Sequence, residues 1–371
     1  MCGKFSRIQR RGSTSYTSGT VSELKPLGIG IIGFGRIGAE HAGWIARSRN
    51  CRVVAVADPT PLRRAKAEHL GVRAYPHHHA LLKDPDVDAV LVSTPTAMHH
   101  NHAGDALAAG KHVMVEKPMA LDFVQAKDLV QRARDAGCTL SVFHNRRWDL
   151  DYLTLKNAIE AGTFGSVINV ESRIGQWASC VGPAAREWHP NWRNESAFGG
   201  GGLYDWGSHF VDQLWRMMLP AKPVRVYAQL RANVWSKECD DLARVVIDFD
   251  GGAVGVVEIN TTTTRPLPRW HVDGTFGSAD SAYSLTFDLE TWGKFWFTPA
   301  GGVEPEELPR ATAGLSETEI WERFEGAVGG RGDIAVSAAS VLPTMALMDA
   351  ARESSQRGCA IAISDNLEWV P

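Results

Sequence analysis

Short, uninterrupted apolar runs alternate with amphipathic stretches between residues 28 and 145. The runs predict buried strands, and the stretches between them follow the period of a helix. Strands are predicted at 28–32, 53–57, 89–92, 112–115 and 140–143, and helices at 39–48, 99–109 and 121–136. Because buried strands linked through helices are typical of parallel sheets, this region is predicted to form a doubly wound parallel α/β sheet.

Beyond Asn145 the pattern changes, because predicted strands follow one another with few helices between them. A helix at 150–161 leads into strands at 167–171, 224–229, 243–249, 253–259, 269–273 and 283–287, and a last helix spans 337–356. Asp250-Gly251-Gly252 predicts a hairpin turn, since glycine tolerates the positive φ that tight turns require. Pro343 is expected to kink the last helix or to mark a break near its start. The pattern predicts a second, α+β domain with a large, mostly antiparallel open sheet.

The length of 371 residues and the hydrophobic fraction of 44% are sufficient for two cores. The chain therefore divides into a polar tail at 1–27, which is a flexible leader or an arm ordered by a partner subunit, a first domain at 28–145 and a second at 146–371. The formal net charge of -3 gives no electrostatic reason to expect a nucleic acid or a membrane as partner, so small molecules are the expected ligands. The six cysteines lack a disulfide-like spacing, which is typical of a reducing cytoplasm.

The segment Gly33-Phe34-Gly35-Arg36-Ile37-Gly38 joins the first predicted strand to the first predicted helix. Its first glycine permits a tight turn, the second lets the backbone approach a pyrophosphate, and the third allows close helix packing. Asp58 ends the second predicted strand, where a carboxylate accepts hydrogen bonds from the adenosine ribose and repels a 2′-phosphate. An ordinary turn is the alternative for the glycines alone. Together with Asp58 they predict a dinucleotide site that prefers NAD to NADP, while Arg63 and Arg64 nearby are expected on a solvated helix surface.

Three further residues predict acid–base chemistry. Lys117 follows the fourth predicted strand, at the edge where an open α/β sheet binds ligands. Asp205 and His209 are four residues apart, so on a helix they share one face. Histidine suits a general base because its reference pKa of about 6.5 is close to neutral pH. The alternatives are a solvated lysine at the sheet edge, a helix cap for Asp205 and a packed core position for His209.

From Gly28 to the last predicted helix the sequence resembles the oxidoreductase family typified by glucose-fructose oxidoreductase and inositol 2-dehydrogenase. The resemblance rests on the glycine motif and on four other short segments. These are Thr94-Pro95 followed by His99, Glu116-Lys117-Pro118, Gly199-Gly200-Gly201 before Asp205-Trp206-Gly207-Ser208-His209, and His144-Asn145-Arg146-Arg147-Trp148-Asp149. The last of them looks most like the branch that contains scyllo-inositol dehydrogenases.

The resemblance implies a Rossmann first domain, NAD as cofactor and a homodimer or homotetramer. Besides the glycine motif and Asp58, it places the cofactor on Ser93, Thr94, Pro95, His99, Glu116, Lys117 and Asn145, and it implies a cis peptide before Pro118. In the mechanism that these residues suggest, His209 takes a hydroxyl proton and Lys117 stabilises the developing oxyanion. Asp205 orients the substrate or the imidazole, and hydride passes to the nicotinamide.

The segment 175–198 is rich in aromatic and arginine residues. Aromatic faces pack on the C–H surfaces of sugars and cyclic polyols, whereas arginines would suit a carboxylate or a phosphate. Candidate wall residues are Trp177, Arg186, Trp188, His189, Trp192 and Arg193, with Arg147, Trp148, Tyr204, Asp205, His209, Trp270 and His271 from other segments. The alternative is that the tryptophans pack against the sheet and the arginines form surface ion pairs.

Three functions fit this set of residues. The leading hypothesis is an NAD-dependent dehydrogenase that acts on a secondary alcohol of a cyclic polyol or sugar, inositol-like or pyranose-like. A glycosidase that oxidises its sugar transiently would release product without net NADH. A catalytically silent sugar sensor would bind the cofactor without turnover.

The run Pro76-His77-His78-His79 is expected to form a solvated loop. Contiguous histidines need not point together, and no cysteine, aspartate or glutamate is expected to complete a ligand set. The sequence therefore predicts no metal site.

Overall fold

The computed structural model describes residues 25–180, 188–189, 191–282, 293–364 and 367–369. Most of the predicted tail, the strand predicted at 283–287 and Arg186 lie outside the described residues. Two sheets account for the described strands. Within the described ranges, the helices are too short or too polar to cross a membrane.

The first sheet is parallel and has six strands in the order β3-β2-β1-β4-β5-β6. Its strands are β1 Leu27–Ile32, β2 Cys51–Ala57, β3 Arg73–Tyr75, β4 Ala89–Val92, β5 His112–Val115 and β6 Leu140–Val142. Its helices are α1 Arg36–Ile45, α2 Pro61–His69, α3 His78–Leu81, α4 His99–Ala108 and α5 Phe123–Asp135. The doubly wound prediction is confirmed. The strand order reverses between β1 and β4, so their carboxyl ends border the crevice in which such sheets bind ligands.

Both faces of the first sheet are covered, which explains why its strands are uninterrupted apolar runs. Ile29 and Ile31 pack toward α1 and α2, whereas Val90 and Val92 pack toward α4 and α5. The carboxyl ends of the strands remain open for a ligand.

The second sheet has nine strands in the order β14-β13-β12-β11-β7-β10-β9-β8-β15. Its strands are β7 Val167–Gly175, β8 Pro223–Arg231, β9 Leu242–Phe249, β10 Val254–Asn260, β11 Trp270–Gly274, β12 Gly277–Ser281, β13 Phe295–Pro299, β14 Glu306–Glu307 and β15 Ile361–Ala362. The other elements are α6 Leu150–Glu160, a π-helical turn Leu203–Gly207, α7 Ser208–Met217, α8 Glu317–Val328 and α9 Leu342–Arg357. The mostly antiparallel sheet is confirmed, with β7 and β10 as its parallel pair.

Along each strand of the second sheet, successive side chains alternate between a face covered by helices and an open face. In β9, Ala243, Val245 and Ile247 are buried with the helices, while Arg244 lies on the other face. The predicted turn at 250–252 joins β9 to β10 as an antiparallel hairpin. Pro343 lies in the first turn of α9, so it marks the start of that helix.

Helix α8 belongs to the last third of the chain but packs on the first sheet. Its Ile320, Trp321 and Phe324 are buried together with Ile31 and Ile45. A Ser316 capping box begins the helix, because the Ser316 hydroxyl and the Glu319 carboxylate satisfy each other's backbone N–H groups. The boundary between the two domains at residue 145 remains a prediction from the sequence.

Candidate active site

The glycine turn between β1 and α1 forms a cradle with little room for side chains on the protein side. Gly33 has φ 93°, and a Cβ there would lie 2.9 Å from the Ser93 carbonyl oxygen. A Cβ on Gly38 would lie 2.2 Å from the Gly33 carbonyl oxygen. At Gly35 the nearest atom to such a Cβ is 3.5 Å away, on Arg63. The backbone is therefore open at Gly35, where the N-terminus of α1 provides amides for a pyrophosphate.

Two adjacent cavities extend from this turn along the carboxyl edge of the first sheet. The larger, about 280 Å³, lies at Asp58, and the smaller, about 100 Å³, lies at Lys117. Their shared lining residues are Arg36, Ile37, Ser93, Thr94, Trp192 and Arg193. This shape fits an extended dinucleotide that runs along the edge of the sheet between Asp58 and Lys117.

Asp58 is buried at the end of β2, and its carboxylate holds the glycine turn. Oδ2 accepts a hydrogen bond from the Phe34 N–H at 2.8 Å, and Oδ1 accepts one from the Thr60 N–H at 2.8 Å. A carboxylate oxygen has two lone pairs, so Oδ1, which accepts one hydrogen bond, retains capacity for a ribose hydroxyl. The guanidinium of Arg63 lies 3.5 Å from Oδ2 and lines the larger cavity, which differs from the solvated surface expected for it. Arg64 donates to the Asp58 and Pro59 carbonyls instead.

Lys117 follows β5 and reaches across to the second domain. Its Nζ donates to the Asp205 carbonyl oxygen at 2.8 Å and to the Asp205 carboxylate at 3.3 Å. The Arg193 guanidinium lies 3.6 Å from the same carboxylate. Burial alone would raise the pKa of Asp205, but the charges of Lys117 and Arg193 outweigh it and lower the pKa. Asp205 is therefore an anion that holds the ammonium at the wall of the smaller cavity.

Asp205 does not cap a helix, although a cap was the alternative for this residue. The Leu203 N–H, at the start of the π-helical turn, donates to the carboxylate of Asp240 at 2.8 Å. Asp240 also approaches the glycine run, since a Cβ on Gly201 would lie 2.3 Å from its carboxylate. Asp240 thus caps this turn and leaves Asp205 for Lys117. π-Helical turns are frequent at functional sites.

A buried hydrogen-bond chain holds the backbone beside Lys117. The indole N–H of Trp321 on α8 donates to His41 Nδ1 at 3.1 Å, and His41 Nε2 lies 2.8 Å from the Glu116 carboxylate. Because an indole N–H only donates, Nδ1 of His41 must accept and Nε2 carries the proton. The other Glu116 oxygen accepts the Lys117 N–H at 3.0 Å. The Lys117–Pro118 peptide is cis, as the family resemblance implies.

His209 is buried, and its ring lies edge-on to that of His144 with 5.5 Å between their centroids. Nδ1 of His209 and Nε2 of His144 are buried without a hydrogen-bond partner among the described residues. Burial, followed by the charge of Lys117, holds the pKa of His209 well below its usual value. Burial likewise lowers the pKa of His144 to about 4. At neutral pH His209 is therefore a neutral imidazole, which is the form a general base requires.

Most of the predicted site residues line the two cavities. Those are Gly33, Gly35, Arg36, Ile37, Asp58, Ser93, Thr94, Pro95, His99, Glu116, Lys117, Trp188, His189, Trp192, Arg193, Tyr204 and Asp205. The sequence predicted no ligand contact for several described lining residues, which are Ile32, Ala57, Pro59, Pro76, Thr96, Met98 and His102. They lie at or just after strand ends or in the first turns of helices, where sequence periodicity gives no signal for ligand contact.

Several other predicted residues do not line either cavity. Phe34 and Gly38 support the turn from within, and Asn145 donates weakly to Glu317 at 3.4 Å. Arg147 binds Asp212 through two hydrogen bonds of 2.7 and 2.9 Å. Trp148 packs against the cores of the first sheet, and Trp177 is half-exposed against Trp235. His209 and Trp270 are buried, and His271 pairs with Asp273 and Asp280. Tertiary pairing, which the sequence pattern does not reveal, decided each of these positions.

The histidine run differs from its expectation as a solvated loop without a ligand set. His77 and His78 line the larger cavity. The carboxylate of Asp105 on α4 lies 2.8 Å from His78 Nε2 and 4.0 Å from His79 Nδ1. An aspartate therefore does complete a cluster with these histidines, because α3 and α4 meet beside the sheet.

We expect the protein to lose stability on mild acidification, because burial lowers the pKa of His144 and of His102 to about 4. Below the unfolded pKa of about 6.5 the unfolded chain binds protons that the folded chain does not, so stability falls as pH falls from there toward 4. Each group contributes a loss of about 2 kcal/mol by pH 5. Urea unfolding between pH 7.5 and pH 5 measures the slope. His144→Asn should flatten it, His69→Gln on the exposed face of α2 should not, and equal slopes for wild type and His144→Asn would contradict the assignment.

Comparison with known proteins identifies the class. A family described as an oxidoreductase family with an NAD-binding Rossmann fold matches residues 27–144, and the GFO/IDH/MocA C-terminal domain matches residues 152–280. The chain thus belongs to the GFO/IDH/MocA family of NAD-binding oxidoreductases.

Three relatives illustrate this membership. An uncharacterized oxidoreductase of Escherichia coli, YdgJ, is 28% identical over 91% of this chain and 98% of its own. The scyllo-inositol 2-dehydrogenase (NADP(+)) IolW of Bacillus subtilis is 27% identical over 66% of each chain. The crystal structure of an NAD-binding protein from Listeria innocua superposes with a TM-score of 0.81, with 28% identity over 91% of this chain and 97% of that one.

Proposed function

We propose that this protein is an NAD-dependent dehydrogenase that moves hydride between nicotinamide and a secondary alcohol of a cyclic polyol or sugar, inositol-like or pyranose-like. The contact between Lys117 and Asp205 carries the proposal. It joins a cation from the first domain to an anion from the second at the smaller cavity, where we propose that the nicotinamide binds. Similarity to an inositol dehydrogenase supports the substrate class.

The residues of the cleft are suited to oxidation of a carbinol. The ammonium of Lys117 stabilises the oxygen as negative charge develops on it. His209, a neutral imidazole buried outside the lining of both cavities, is proposed to accept the hydroxyl proton, and its lowered pKa means that it would hold this proton only transiently. Asp205 keeps Lys117 oriented. NAD supplies the chemistry of hydride acceptance at its nicotinamide ring.

The walls of the cleft suit a hydroxylated ring. Trp192 lines both cavities and carries the Arg193 guanidinium over its face, 4.2 Å from the ring centroid. Tyr204 lines the smaller cavity, and its hydroxyl donates to the Leu121 carbonyl at 2.7 Å. A ring could therefore pack its C–H surface on an aromatic side chain while its hydroxyls meet Lys117 and Asp205.

A substrate panel tests the proposal. Purified protein is incubated with NAD and with inositol isomers, pyranoses or aryl glycosides, while NADH absorbance and aglycone release are followed together. Net NADH with a free polyol or sugar is the expected result. Aglycone release without net NADH would instead favour the NAD-assisted glycosidase, and cofactor binding without turnover of any member would favour the sensor.

The cofactor preference is predicted to depend on Asp58. In Asp58→Ser the carboxylate that repels a 2′-phosphate is absent and Arg63 is released from it, so NADPH affinity relative to NADH should rise at least about tenfold. Quenching of protein fluorescence measures both affinities without a substrate. Asp88→Ser is the matched control, since Asp88 accepts the Gly28 N–H at the opposite end of the sheet. An unchanged ratio in Asp58→Ser would contradict the assignment.

The open face of the second sheet is proposed as the surface for a homodimer or homotetramer. Tyr227 on β8 and Trp296 on β13 are about two-fifths exposed on it. Burial of such aromatics against a second copy would remove apolar surface from water.

A further inference from the structure

A cluster of His78, His79 and Asp105 lies at the rim of the larger cavity, where α3 approaches α4. His78 Nε2 is 2.8 Å from the Asp105 carboxylate, and His79 Nδ1 is 4.0 Å from the same oxygen. One ligand atom from each of the three residues lies within 4.8 Å of the others. The centroids of the two imidazole rings are 3.9 Å apart, and the ring planes are inclined by 38° to each other.

These distances suit a small dication with few adjustments. At Zn–N and Zn–O bond lengths of about 2.0–2.1 Å, tetrahedral ligand atoms are about 3.3 Å apart. The His78–Asp105 distance of 2.8 Å would have to widen by about 0.5 Å, and the His79–Asp105 distance of 4.0 Å would have to shorten by about 0.7 Å. The side chains of His79 and Asp105 are 67% and 44% exposed, so an ion reaches the cluster from solvent and rotamer adjustment is not blocked by packing.

Other histidine–aspartate contacts in the described residues lack this convergence. His100 Nε2 lies 2.7 Å from Asp128, but this pair has no second histidine with it. His271 contacts two aspartates, yet Asp280 lies at Nδ1 and Asp273 at Nε2. Since these nitrogens are on opposite sides of the ring, no single ion could bind both carboxylates and the imidazole. The cluster therefore differs from these other contacts in the convergence of its ligand atoms as well as in its composition.

We propose that His78, His79 and Asp105 bind a transition-metal dication of the zinc class. Two imidazoles and one carboxylate are ligands that such ions accept, and three protein ligands leave a position for water. The ion would tie α3 to α4 beside the wall of the nucleotide cavity that His77 and His78 form. This proposal is independent of the substrate and of the proposed reaction.

Metal titration of the full chain, without an affinity tag and after removal of metals by a chelator, tests the site. Zn²⁺ is titrated in competition with a chromogenic chelator, and Co²⁺ is added separately because its visible absorption reports the coordination geometry. Variants Asp105→Asn and His79→Gln each remove one ligand at an exposed position. Asp128→Asn is the matched control, because it removes the carboxylate of a histidine–aspartate pair outside the cluster.

Wild type and Asp128→Asn are expected to bind Zn²⁺ with affinities within about threefold of each other, while each ligand variant weakens binding at least about 30-fold. The Co²⁺ absorption should appear in the first two proteins and be lost in the other two. Equal Zn²⁺ affinity in wild type, Asp105→Asn and His79→Gln would overturn the proposal, because the ion would then be held elsewhere. Absence of Zn²⁺ binding to wild type at micromolar concentrations would overturn it as well.

Discussion

Replacing Lys117 with methionine is expected to lower kcat on the substrate that the panel identifies by a factor of about 10²–10³ or more, because a preorganised cation no longer meets the developing oxyanion. Methionine keeps the length of the side chain and removes its charge. Asp205 would also lose its principal partner, since Lys117 donates to both its carbonyl and its carboxylate. Steady-state kinetics measure the loss, and fluorescence quenching shows whether NADH still binds.

Lys111→Met provides the matched control for this change. Lys111 lies just before β5, whereas Lys117 lies just after it, and the Lys111 Nζ donates to the Val87 carbonyl at 2.6 Å. Both variants remove one lysine charge from the same sheet, but only one removes it from the cleft. Wild-type turnover in Lys117→Met would contradict the proposed role. Loss of NADH binding in that variant would assign Lys117 to cofactor binding instead of to the oxyanion.

Replacing His209 with glutamine is expected to lower kcat by a factor of about 10²–10⁴, the range that positioned general bases contribute. The variant should also alter the pH dependence. In wild type the rate is lost on acidification as the imidazole becomes protonated, and because the pKa of His209 is lowered this acid limb lies below about pH 6.5. In His209→Gln the part of the acid limb of the kcat profile that arises from the imidazole should be absent. Profiles of kcat between pH 5 and pH 9, with stability checked at each pH, measure both effects.

His271→Gln is a suitable control for the histidine variant. His271 lies on β11 between two aspartates and lines neither cavity among the described residues. Its replacement should leave turnover and the acid limb as in wild type. An acid limb of unchanged position in His209→Gln would assign that titration to another group. Turnover within about threefold of wild type would show that the substrate proton leaves by another path, since a lost general base costs far more.

Local patterns predicted the elements that position the cofactor. The uninterrupted apolar runs of β1, β4 and β5 are the direct consequence of burial on both faces, so their boundaries were predicted to within one residue. The glycine spacing and Asp58 follow from the geometry of one turn and the strand beside it. Lys117 was also predictable, because the residue after a parallel strand lies at the ligand edge of the sheet.

Contacts between distant segments had no such local signal. Trp321 lies 280 residues from His41, whose tautomer it fixes. Arg147 was expected in the substrate site, but Asp212 engages its guanidinium, 65 residues further along the chain. Asp105 completes the cluster with His78 although 27 residues separate them. A pattern within one helix or strand carries no information on which other helix will lie against it.

The sequence by itself determined the parallel sheet and the glycine cradle, because each depends on a local pattern of side chains, and it pointed to the groups proposed for acid–base chemistry. The tertiary structure alone decided where these groups lie and which of them are charged. It places Asp205 in contact with Lys117 and buries His209, which lowers the pKa of the imidazole and keeps it neutral. It also pairs Arg147 with Asp212. Burial and long-range pairing set protonation and direction, and both arise only when segments far apart in the chain pack together.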